Sequence, residues 1–147
     1  MEEIIELEKV KELFNSVNGN GNENNYFVAY KDMQKSNGMV SGMEYPYDAL
    51  LINMTEKGLG FFFLKQSGIV LTQNLVKMTL DKDSYTFISN DDIKKVTVKN
   101  FALLNSKVKR ISIDTNDKSY KLFAKLNEKN ISYQTDNFTK FIEKYSK

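Results

Sequence analysis

Two neighbouring segments of the chain, 47–55 and 59–64, are apolar on both of their faces. One face carries Leu50, Ile52, Met54, Leu59, Phe61 and Phe63, and the other carries Ala49, Leu51, Phe62 and Leu64. Successive side chains of a β-strand point to opposite faces, so a strand with one face in water is apolar on the other face only. The polar turn TEKG, 55–58, joins the two segments as an antiparallel pair. We therefore predict that something covers the second face of this pair.

The amino-terminal segment is the first candidate for this cover. Its apolar residues recur with helical spacing, and they are Ile4, Leu7, Val10, Phe14 and Val17. Acidic residues at positions 2, 3 and 6 suit the positive end of a helix dipole. The pattern predicts an amphipathic helix that ends near Asn15, followed by a flexible joint, NGNGNENN. A second copy of the chain and a partner protein are the other two candidate covers.

The other segments alternate between apolar and polar residues, as short β-strands do. Strands are predicted at 26–30, 75–80, 85–89, 94–100, 108–114, 119–125 and 131–134. An apolar stripe at i, i+3, i+4 and i+7 then predicts a closing helix, and it consists of Phe138, Phe141, Ile142 and Tyr145. Thr135 or Asp136 is expected to cap this helix. The fold class is therefore mainly β (α+β), with a helix near each end.

The chain contains neither Cys nor His. Disulfides, thiolate nucleophiles, thiolate metal sites and histidine general bases are therefore excluded. The adjacent carboxylates at 81 and 83, and at 91 and 92, lie in predicted turns, where no burial would raise a pKa for acid–base catalysis. The stretch 81–92 also lacks the glycine and the bidentate Glu of a calcium-binding loop. We expect no enzymatic activity, no cofactor and no metal site.

The charge and hydropathy of the chain limit its partners and its compartment. Twenty-one cationic and 19 acidic residues give a net charge of +2, and Arg110 is the single Arg. A balance of this kind gives little attraction to nucleic acid, so no nucleic-acid partner is expected. No apolar run reaches the roughly 18 to 20 residues of a membrane helix, and the start lacks the pattern of a signal peptide. We expect a cytoplasmic protein.

One face of the closing strands is basic. If segments 94–100, 108–114 and 119–125 pair as a meander, the face away from the core gathers Lys95, Lys99, Arg110, Lys121, Phe123 and Lys125. The functional interpretation is a contact patch for an acidic partner or an anionic membrane, with cations around an aromatic anchor. The alternative is an ordinary solvated face, on which Lys stems or the amino-terminal helix shield Phe123.

Five motifs follow one another between residues 43 and 145. They are ALLINMTEKG, GLGFFFLK, YTFISNDDIKKVTV, KRISIDTNDKSYKLFAK and NFTKFIEKY. This order resembles the bacterial pleckstrin-homology-like (PH-like) domains, which carry an acidic residue before Ile and Lys in a turn, as Asp92, Ile93 and Lys94 do here. The resemblance implies a barrel of two near-orthogonal antiparallel sheets closed by the last helix. It also implies a binding or assembly module, and the loop 55–60 offers Lys57 alone where phosphoinositide-binding relatives present several cations.

The sequence thus predicts a PH-like domain over residues 25–147, preceded by a helix and joint over residues 1–24. The expected function is that of a non-enzymatic module that acts through protein–protein contacts, with a separate protein or a second copy, as in a homodimer. Two alternatives stay open. One is peripheral binding to an anionic membrane surface through the Lys-rich sheet face, and the other is a β-barrel that binds a small apolar ligand.

Overall fold

The computed structural model describes residues 6–17, 23–32, 47–66, 78–102, 105–128 and 131–145. These residues form eight strands and two α-helices. In chain order the elements are α1 (Leu7–Asn15), β1 (Asn25–Lys31), β2 (Ala49–Met54), β3 (Gly58–Gln66), β4 (Met78–Leu80), β5 (Thr86–Ser89), β6 (Ile93–Ala102), β7 (Asn105–Thr115), β8 (Ser119–Lys125) and α2 (Gln134–Tyr145). The prediction of a mainly β chain with a helix near each end is confirmed. Residues 1–5, most of the predicted joint and the start of the predicted strand at 75–80 lie outside the described residues.

The eight strands belong to one antiparallel sheet that does not close. Its order is β4-β3-β2-β1-β8-β7-β6, and β5 also pairs with β3. Two meanders, β1 to β4 and β6 to β8, therefore meet where β1 pairs with β8. The resemblance implied two separate sheets closed into a barrel. In the described strands, the contact between β1 and β8 joins the two meanders into a single sheet, and this sheet does not close.

Both faces of β2 and β3 are buried, as the sequence predicts. Leu50, Ile52 and Phe61 belong to one apolar cluster, which we call the α2-side cluster. Leu51 and Phe62 belong to a second, the α1-side cluster, together with Val10 and Phe14 of α1. The amino-terminal helix is thus the cover of the second face, which confirms the first of the three candidates.

Phe14 is the centre of the contact between α1 and the sheet. Its ring centroid lies 5.1 Å from that of Phe62 and 5.3 Å from that of Tyr26. The side chains of Val10 and Phe14 are fully buried. A helix of nine residues is marginal by itself in water, so these contacts supply most of its stability.

The predicted stripe of α2 is confirmed. Phe138 and Phe141 are fully buried, and their ring centroids lie 5.2 and 5.0 Å from that of Phe27 in β1. Ile142 and Tyr145 are half-buried against the same cluster. Helix α2 therefore packs on the face of the sheet opposite α1.

The predicted start of this helix is wrong. Segment 131–134 is not a strand, since Ile131 makes only an isolated bridge with Glu128 and the helix begins at Gln134. Thr135 and Asp136 consequently lie inside the first helical turn and do not cap it. Ile131 and Tyr133 lie in a turn, and both side chains are buried in the α1-side cluster. This burial explains why apolar and polar residues alternate here without a strand.

The side-chain amide of Gln134 completes the junction between the two meanders. β1 and β8 pair directly at Tyr30 with Phe123 and at Lys31 with Leu122. Further along the same seam, Oε1 of Gln134 accepts a hydrogen bond from the Val28 N–H at 2.8 Å. Its Nε2 donates to the carbonyl oxygens of Val28 at 3.0 Å and Lys125 at 2.9 Å. One buried side chain therefore satisfies backbone groups of both strands.

We expect Phe14→Ala to lower the free energy of unfolding by about 3 to 5 kcal/mol, because it removes a fully buried ring. Urea denaturation measures this change. Glu12→Ala, on the exposed side of the same helix, is the matched control and should change stability by less than about 0.5 kcal/mol. Equal effects of the two substitutions would show that α1 does not cover the sheet in solution.

We expect Gln134→Ala to cost about 2 to 4 kcal/mol of stability, because it leaves the buried N–H and carbonyl of Val28 and the partly buried carbonyl of Lys125 without their hydrogen-bond partner. Thr135→Ala should be nearly neutral, since Thr135 is exposed. Thermal and urea unfolding of both variants provide the comparison. A larger loss of stability for Thr135→Ala than for Gln134→Ala would instead support the helix cap that the sequence predicts at Thr135.

Candidate functional site

A groove with a volume of about 420 Å³ lies on the face of β6, β7 and β8 that points away from α2. Its charged lining consists of Asp32, Lys95, Lys99, Arg110, Asp114 and Lys121. We call this surface the basic groove. It contains four of the six residues that the sequence singles out for partner binding.

The register of the three strands explains why these side chains meet. Lys99 of β6 pairs with Arg110 of β7, which pairs in turn with Phe123 of β8. In the next row on the same face, Thr97, Ser112 and Lys121 lie side by side. The intervening residues of β7 and β8, which are Ile111, Ile113, Tyr120 and Leu122, are buried in the α2-side cluster. Burial of one face therefore directs the cations to the other face.

Arg110 is held in place by two contacts. Its Nε donates to Oδ2 of Asp32 at 2.6 Å, and its guanidinium carbon lies 4.3 Å from the ring centroid of Phe101. The Asp32 side chain is only 1% exposed and that of Arg110 is 22% exposed. Because a buried carboxylate needs a counter-charge, this pair fixes the floor of the groove.

A looser polar network lies beside this pair. Lys121 Nζ donates to the Ser112 hydroxyl at 2.6 Å and lies 3.9 Å from Oδ1 of Asp114. The pKa of Asp114 is lowered, first by the hydrogen bond from the Ser119 hydroxyl and then by the positive charge of Lys121. Asp114 therefore remains ionised at neutral pH and balances the charge of Lys121.

Lys95 and Lys99 differ from these two cations. Both are exposed on β6, and neither makes an ion pair within 4 Å among the residues that the structure describes. The groove holds four cations and two carboxylates, which leaves an excess of two positive charges. Lys95 lies opposite Asp114 in the sheet and also helps to lower the pKa of Asp114, so this carboxylate interacts with Lys95 as well as with Lys121.

Phe123 and Lys125 lie beside the basic groove and do not line it. The half-buried ring of Phe123 stacks on Tyr30 at 5.3 Å and lies 5.3 Å from the ring of Phe101. The sequence offered Lys stems or the amino-terminal helix as its shield, whereas neighbouring aromatic rings provide it. Lys125 is exposed, with its Nζ 5.6 Å from the ring centroid of Tyr30.

The hydroxyl of Tyr30 also lies near the carboxylate of Glu128. Burial raises the pKa of Tyr30, and the nearby carboxylate of Glu128 raises it further. Burial likewise raises the pKa of Glu128, although the charge of Lys125 opposes this effect. Oε2 of Glu128 is buried and has no hydrogen-bond partner within the described ranges. The positive charge of Lys125 is thus directed partly toward the protein itself.

Sequence reasoning did not identify Asp32 as part of this surface. The sequence gives little indication that Asp32 belongs to the groove, because an Asp directly after an apolar strand is normally a turn residue exposed to water. Its partner Arg110 is 78 positions away in the chain, and only the pairing of β1 with β8 brings them together.

A metal-binding cluster and a membrane-spanning helix are both absent from the described part of the chain. No three Asp or Glu side chains there lie close enough together to bind a metal ion. None of the described helices combines the length and apolarity required to cross a membrane. No protein family, no curated protein and no solved structure matches this chain. The geometry of the basic groove is therefore the basis for a functional proposal.

We expect Asp32→Ala to lower the free energy of unfolding by about 2 to 4 kcal/mol, because it leaves the guanidinium of Arg110 partly buried without its counter-charge. The double variant with Arg110→Met should cost less than the sum of the two single changes. Asp114→Ala, which breaks the more exposed pair with Lys121, is the control and should cost less than about 1 kcal/mol. If the losses of stability from Asp32→Ala and Arg110→Met simply add in the double variant, the two side chains do not stabilise each other.

Proposed function

We propose that the protein is a non-enzymatic binding module of PH-like fold that acts through protein–protein contacts, and that its basic groove receives an acidic partner. The observation that carries this proposal is the excess of two positive charges in one groove, on the face of β6 to β8 that no described helix covers. Complementary charge raises the rate and the selectivity of association.

The order of the parts supports a PH-like fold. Two antiparallel meanders follow one another, and a carboxy-terminal helix packs across the face of the sheet that carries the α2-side cluster. Together with the motifs of the sequence, this arrangement favours the PH-like assignment over an unrelated β-sandwich. Fold alone does not define a ligand, so the functional proposal rests on the charges of the groove.

A protein partner explains the groove better than an anionic membrane does. Phe123, which the sequence suggests as an aromatic anchor, is packed between Tyr30 and Phe101. The partly exposed carboxylate of Asp114 would also repel a flat anionic surface. A polypeptide can place its negative groups at the exposed side chains of Lys95 and Lys99, away from the buried carboxylate of Asp32.

The apolar-ligand alternative gains little support from the described residues. Rings at contact distance occupy the α2-side cluster, including Phe27 with Phe138 at 5.2 Å and Phe61 with Tyr120 at 5.3 Å. Close-packed rings of this kind leave little space for a guest molecule. The groove itself is lined mainly by charged and hydroxyl side chains.

A capped peptide of ten Glu residues tests the proposal. We expect wild-type protein to bind it and Lys95→Glu/Lys99→Glu to bind at least about ten-fold more weakly, because two attractive contacts become repulsive. NMR titration of the ¹⁵N-labelled protein measures the dissociation constant and locates the shifts, which should lie on β6 to β8. Raising the salt concentration should weaken binding by the wild type, since exposed charges are screened.

The control variant is Lys57→Glu/Lys140→Glu. It changes the net charge equally, at the exposed turn before β3 and on α2, and should bind within about two-fold of the wild type. Failure of the wild type to bind the peptide, or equal losses in both variants, would contradict the proposal. Binding to vesicles that contain phosphatidylserine without binding to the peptide would favour the membrane alternative.

A further inference from the structure

We infer that the basic groove recognises an extended polypeptide segment with two acidic side chains four residues apart, lying along β6. This inference rests on the proposed function and specifies the partner of the same site. It follows from which cations of the groove have an ion pair within 4 Å, and from the distance between the two lysines that have none among the described residues.

The two cations at the floor of the groove, Arg110 and Lys121, do not need a negative charge from a ligand. Arg110 is paired with Asp32 at 2.6 Å, and Lys121 is hydrogen-bonded to Ser112 and lies near Asp114. A ligand that displaced Asp32 would have to leave a nearly fully buried carboxylate without its counter-charge. The ligand therefore meets Lys95 and Lys99, which make no ion pair within 4 Å among the described residues; Lys95 lies opposite Asp114 in the sheet, and Lys99 lies opposite Arg110.

The spacing of these two lysines selects the form of the ligand. They lie on the same strand and the same face, four residues apart, which separates their Cα atoms by about 13 Å. A single carboxylate or phosphate cannot contact both ammonium groups while their stems stay extended. Two acidic groups at i and i+4 of a helix are only about 6 Å apart, so a helical ligand would need a longer spacing, such as i and i+8, to span the two lysines.

An extended ligand matches both the distance and the direction. Acidic side chains at i and i+4 of an extended chain lie on one face about 13 Å apart, as Lys95 and Lys99 do. Side chains at i and i+3 point to opposite faces, and those at i and i+2 are only about 7 Å apart. Between the lysines the groove presents Thr97 and Ser112, so the central residue of the ligand needs no charge.

Three capped nine-residue peptides of identical composition test this inference. Each contains two Glu residues in a background of Thr and Ser, spaced at i,i+4, at i,i+3 or at i,i+2. NMR titration of the ¹⁵N-labelled full chain gives each dissociation constant. We expect the i,i+4 peptide to bind about five-fold more tightly than the other two, since it alone engages both lysines.

Single substitutions of the lysines provide the matched controls. Lys95→Ala and Lys99→Ala should each remove the preference for i,i+4 spacing, whereas Lys140→Ala on α2 should retain it. All three lysines are exposed, so each variant is expected to fold, which circular dichroism and thermal unfolding verify.

The outcomes separate this inference from the proposed function. Equal affinities for the three peptides, or a preference for another spacing, would overturn the inference while binding of the ten-Glu peptide still supported the proposed function. Failure of all three at concentrations where the ten-Glu peptide binds would also overturn the inference. Failure of the ten-Glu peptide as well would contradict both.

Discussion

The buried amide of Gln134 is the interaction on which the rest of the sheet depends. It bridges backbone groups of β1 and β8, which pair directly at only two positions. The same residue begins α2 and so orients the helix whose Phe138 and Phe141 fill one face of the sheet. The seam that it completes places Asp32, just after β1, beside Arg110 of β7. The basic groove therefore depends on a helix residue that does not line it.

The two halves of the sheet divide structural and surface roles between them. β1 to β3 are apolar on both faces, and α1 and α2 cover one face each. β6 to β8 are apolar on one face only, and their other face carries the groove. Each half therefore has the covering that its side chains require. Among the described residues, the sheet face that no helix covers belongs to the second half, and it carries the groove.

Alternation within each segment predicts the strands, the side of the sheet on which each residue lies and the cover over Phe62. These features are local, or follow from the cost of exposing apolar surface. The junction was not predictable in this way. Gln134 resembles the end of a short strand because Ile131 and Tyr133 alternate, although burial in a turn produces the same pattern. The continuity of the sheet and the pairing of Asp32 with Arg110 join residues that are distant in the chain, and no local pattern encodes such pairings.

The electrostatics of the groove also limit how it can act. An exposed ion pair contributes roughly 0.2 to 1 kcal/mol, so Lys95 and Lys99 together supply about 2 kcal/mol at most. Even a millimolar complex requires about 4 kcal/mol. The lysines therefore serve mainly to select and orient a partner, and backbone or side-chain contacts along β6 to β8 must supply the remaining affinity. The fixed pair of Arg110 and Asp32 contributes to this role by keeping the groove rigid, so that little side-chain entropy at its floor is lost on binding.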